Sequence, residues 1–127
     1  MTDRTAPRHA HALAYDIAQH LRLSLARDEY SATRLDRYTS LAMAVRDRLV
    51  DQWIDTQQTY YNEDAKRVYY MSLEFMTGRL LANALINLGL CDEARLAVSD
   101  TGQDLESLLE KEPEPGLGNA RRSEGRG

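Results

Sequence analysis

Residues Val68 to Leu73 constrain this chain most. Five of the six are apolar or aromatic, and no proline, glycine or charge interrupts them. Such a run reads as a strand covered on both faces, expected near residues 67–73. Glu74, Gly78 and Arg79 follow at its carboxyl end, where open α/β folds place ligands. Yet no second stretch of comparable quality occurs in the 127 residues. One strand cannot make a sheet. The chain therefore carries one piece of a sheet-based architecture without the neighbours that would complete it.

Everything else with a period reads as helix. Leu13, Ile17, Leu21 and Leu25 recur every four residues and predict a helix from about His9 to Ala26. Asp28 to Thr33 is a polar connector. A longer helix is expected over Arg34 to Tyr60, with Thr33 as its N-cap. Its stripe is Leu35, Tyr38, Leu41, Ala42, Val45, Leu49, Trp53, Thr56 and Tyr60. At 1.5 Å per residue it would be roughly 40 Å long, enough to span a larger body or reach a second subunit. Tyr61 to Ala65 reads as a turn. Shorter helices follow over Leu80–Leu88, stopped by Gly89, and over Asp92–Val98 and Asp104–Lys111.

Composition narrows the class. A net charge of -4 argues against a nucleic-acid partner. No apolar run approaches the roughly 20 residues that cross a bilayer. Residues 1–11 lack the apolar core of a secretory leader, and the one cysteine, Cys91, has no internal partner, so a cytoplasmic location is expected. Residues 92–114 hold eight acidic and two basic side chains, and residues 120–127 have no large apolar residue. That tail is expected to stay disordered.

Few residues offer chemistry. Glu74 is the best candidate for a functional carboxylate, with Gly78 allowing close backbone approach; a Glu–Arg pair with Arg79 holding a turn is the alternative. Gly116-Leu117-Gly118-Asn119 could turn backbone N–H groups toward an anion, or spell an ordinary loop. His9, His11 and His20 do not make a metal site, because His9 and His11 would point apart on a helix. Ser72 lacks the flanking glycines of a nucleophile elbow. Tyr60, Tyr61, Tyr69 and Tyr70 serve either stacking or packing.

Several blocks, taken in order, resemble the glycogen (α-glucan) phosphorylases. They are Val45-Arg46-Asp47-Arg48-Leu49-Val50 with Trp53, then Thr56-Gln57-Gln58-Thr59-Tyr60-Tyr61. Lys66 to Phe75 follows, then Gly78-Arg79, Asn83, Asn87-Leu88 and Gly116 to Asn119. The resemblance runs from Leu21 to Asn119, about four-fifths of the chain.

This resemblance implies an α/β chain, the N-terminal part of a two-domain glycosyltransferase-B-like fold. Residues 1–119 would be an incomplete first domain, and 120–127 a disordered or out-of-frame tail. It implies phosphorolysis of α-1,4-glucan, with phosphate releasing glucose 1-phosphate. The family's pyridoxal phosphate sits on a lysine late in a much longer chain, so neither cofactor nor metal is expected on this piece. By resemblance Glu74 lines the catalytic cleft and Asn119 belongs to the loop beside the substrate phosphate. Gln57, Gln58 and Tyr61 match the region that holds an allosteric nucleotide in animal members, and Asp28 the connector that caps it from another subunit. Asp55 is acidic where animal members are basic. Partners so implied are glucan, phosphate and a second subunit met through the N-terminal helices. After Asn119 the family's two further glycines and helix are missing, which reads as a truncated and inactive N-terminal piece or a frame error. The rival reading is a non-catalytic helical module that keeps the dimer-contact region.

Overall fold

A computed structural model describes residues 6–71 and 79–113. They form five α-helices: α1 (Ala6–Gln19), α2 (Arg34–Asn62), α3 (Leu80–Asn87), α4 (Cys91–Ser99) and α5 (Leu105–Leu109). A π-helical turn, His20–Ser24, prolongs α1. Its wide turn closes with the Leu25 N–H donating to the His20 carbonyl at 3.0 Å. An apolar spacing of four drifts around a helix of 3.6 residues per turn. Leu21, in this turn, is buried, beside the groove described below.

Helix α2 begins as its sequence predicts. The Thr33 hydroxyl accepts from the Asp36 N–H at 3.1 Å, and the Asp36 carboxylate accepts from the Thr33 N–H at 2.9 Å. This reciprocal capping box satisfies two donors that a helix start otherwise leaves bare. At the far end Asp64 takes a left-handed φ of 46°. The Ala65 N–H then reaches the Tyr60 carbonyl and the Asp64 N–H that of Tyr61, at 3.0 and 3.3 Å. Gly89 ends α3 in the same way at φ 66°, where a side chain would be strained.

The core is built from α1, the first half of α2, and the three short helices. Leu13, Tyr38, Leu41, Ala44, Val45, Leu81, Leu85, Val98, Leu105 and Leu108 pack together. Buried Ser40 donates its hydroxyl to the Arg37 carbonyl at 2.9 Å, so no polar group is stranded there. An ion pair and a hydrogen bond pin α1 and its π-turn to α2 from outside the core. Arg48 meets Asp16 and His20 meets Asp47, both at 2.8 Å.

One sequence expectation is corrected. No strand occurs among the described residues: 65–71 carry no regular structure, and Val68 to Met71 are 83–93% exposed. A strand is stable only with a neighbour to accept its backbone hydrogen bonds, and none is described here. Residues 72 and 73 of the expected strand lie outside the described residues. The apolar stripe of α2 is buried only to Val45. Leu49, Trp53 and Tyr60 are exposed because no described element packs on that half. The early start of α1, at Ala6 rather than His9, is a boundary shift of the size helix ends ordinarily show.

Candidate functional site

The two residues that resemblance puts nearest chemistry, Glu74 and Asn119, lie outside the described residues, as do Ser72 and Gly78. The effector-region residues are described, and they fall into two places. Asp28 sits in the connector between the π-turn and α2. Gln57, Gln58 and Tyr61 lie near the end of α2.

Asp28 organises its connector. Its carboxylate accepts the Tyr30 N–H at 3.1 Å and the Ser31 N–H at 2.6 Å. The Ser31 hydroxyl, the Ser31 N–H and the Tyr30 N–H hold its pKa below the ordinary carboxylate value. Arg37 on α2 donates to the Glu29 carbonyl at 2.9 Å and ties the connector to the helix. Arg27 approaches Asp36 at 3.7 Å. Ala26 has a left-handed φ of 52°, which lets the chain leave the π-turn sharply. The connector, the end of α1 and the α4–α5 turn frame an open groove of about 780 Å³. Ile17, Leu21, Val98 and Leu108 give it an apolar floor, with Arg22 and Asp28 on its rim.

The second place is a shallower cleft of about 360 Å³. Gln57 and Tyr60 of α2 face Ala65 to Tyr69 across it. Gln58 and Tyr61 do not line it, and Tyr61 is 82% exposed. Asp28 lines the other groove, so within one chain the four effector-region residues are not brought into one site.

Sequence reading missed Glu112. Its two carboxylate oxygens accept the N–H groups of Leu80 and Leu81, at 2.7 and 3.3 Å, and so cap α3 from 31–32 residues away. Arg79, at the N-cap position, supplies no side-chain cap. Glu112 also helps raise the pKa of Tyr38, after burial, the larger cause. Nothing local marks such a long-range cap; the one trace is a helix start with no Ser, Thr, Asp or Asn before it. His20 is likewise a structural residue, linked to Ser24 at 3.0 Å and to Asp47. Among the described residues no group of three His, Cys, Asp or Glu side chains could hold a metal ion. No described helix is long and apolar enough to cross a membrane.

The chain is similar to curated glycogen phosphorylases. Over 104 residues, 80% of this chain, it is 53% identical to the brain form of Bos taurus. It is 51% identical to the human brain form and 52% identical to the human liver form over the same length. The chain spans 12% of the length of each of these relatives. No family model matches it.

Proposed function

We propose a function from one premise: the chain belongs to the glycogen phosphorylase family. Residues 1–119 correspond to the start of the family's first domain, within an α/β, glycosyltransferase-B-like fold, and residues 120–127 fall outside it. The activity of the whole family protein is phosphorolysis of α-1,4-glucan to glucose 1-phosphate in the cytoplasm. This chain by itself does not carry it out.

One observation carries that reading. The matched segment equals 12% of a relative's length, and the chain's two lysines, Lys66 and Lys111, are both exposed. Lysines that form Schiff bases are activated in pockets that tune their charge and exclude water. Pyridoxal phosphate also needs donors gathered around its phosphate. Neither lysine stands in such a setting, so these residues do not fit the cofactor. Glu74 and Asn119 would line a glucan cleft only when the remaining walls are supplied by other sequence.

The test is direct. The purified chain, given pyridoxal phosphate, glucan and phosphate, is expected to release no glucose 1-phosphate. Borohydride is expected to trap no stoichiometric cofactor adduct on Lys66 or Lys111. Turnover, or a stoichiometric adduct on either lysine, overturns the proposal.

A second reading is favoured by a specific feature. The described helices bury a common core of their own, while the second half of α2 stays bare. That fits a folded, non-catalytic module retaining the family's subunit-contact region. Stable co-purification with a full-length phosphorylase, lost on substituting Asp28 or Tyr61, would select it.

A further inference from the structure

We draw no further inference here: the strongest candidate, the open groove framed by the end of α1, the connector at Asp28 and the α4–α5 turn, is an apolar-floored face for which nothing in the structure shows what covers it.

Discussion

Along α2 the side chains of Tyr38, Leu41 and Val45 are buried, whereas Leu49, Trp53 and Tyr60, which continue the same stripe, face solvent. The period is the same in both halves, and so is the helix. What differs is the neighbourhood. The first half lies against α1, α3 and α5, and Arg48 and Asp47 mark where its side-chain ties to α1 and the π-turn end. Beyond them the helix continues for more than three turns without a described partner. Hydrophobic periodicity thus says that a face is made to be covered; it does not say by what.

Core truncation should separate the halves most sharply. Leu41 is fully buried and Trp53 is 62% exposed. Leu41→Ala should cost about 2–5 kcal/mol by urea unfolding, enough to unfold a small domain. Trp53→Ala should change stability by no more than about 0.5 kcal/mol. Equal costs would mean that the second half is packed in solution and the contrast is false.

The caps come next. Thr33→Ala removes an acceptor at the start of α2, ahead of its packed half, and should cost about 1 kcal/mol. Glu112→Ala strips both acceptors from the start of α3 and should cost a similar ~1 kcal/mol. Thr56→Ala, on the bare half, exchanges a hydroxyl bonded to the Gln52 carbonyl for a better helix former and should stabilise by a few tenths of a kcal/mol, about the propensity difference. A cost at Thr56 comparable with that at Thr33 would blur the boundary between the halves.

The far end of α2 offers a gain. Asp64 holds a left-handed turn that glycine adopts freely. Asp64→Gly should raise the unfolding free energy by about 0.5 kcal/mol, less than the full penalty of a left-handed residue because the change also loosens the unfolded chain. Loss of stability instead would show that the Asp64 side chain holds something more than the turn.

The smallest effect is on acid stability. The Thr33 N–H and hydroxyl, then Arg27, hold the Asp36 pKa below its ordinary value of 3.8. The unfolded chain therefore binds its proton first as the pH falls. The contribution of Asp36 is fully present above about pH 4 and is lost as the pH drops through its folded value. Asp36→Asn should flatten that part of the acid limb, read by circular dichroism between pH 5 and pH 2. An unchanged acid limb would remove Asp36 from the account of the cap.

The helices and their stops were legible because each is written locally. The run from Arg34, the Thr33 cap and the Gly89 stop all depend on residues within a few positions of one another. Homology was legible in ordered blocks between Leu21 and Asn119. The candidate catalytic pair, Glu74 and Asn119, remains a reading from resemblance, outside the described residues. What sequence could not show is what depends on partners far along the chain. Glu112 caps a helix 31–32 residues away, His20 finds Asp47 across 27, and Arg48 finds Asp16 across 32.

By itself, then, the sequence determined the family and where helices form, to within a few residues of their ends, since backbone preference and apolar period act over a few residues; the strand expected near residues 67–73 does not occur among the described residues. Only the tertiary structure decided that α1 continues into a π-turn in which Leu21 is buried, that burial of α2 stops near Val45, and that Val68 to Met71 lie bare. Burial and strand pairing are properties of two surfaces meeting. A single stretch of sequence describes one of those surfaces and leaves the other to the fold.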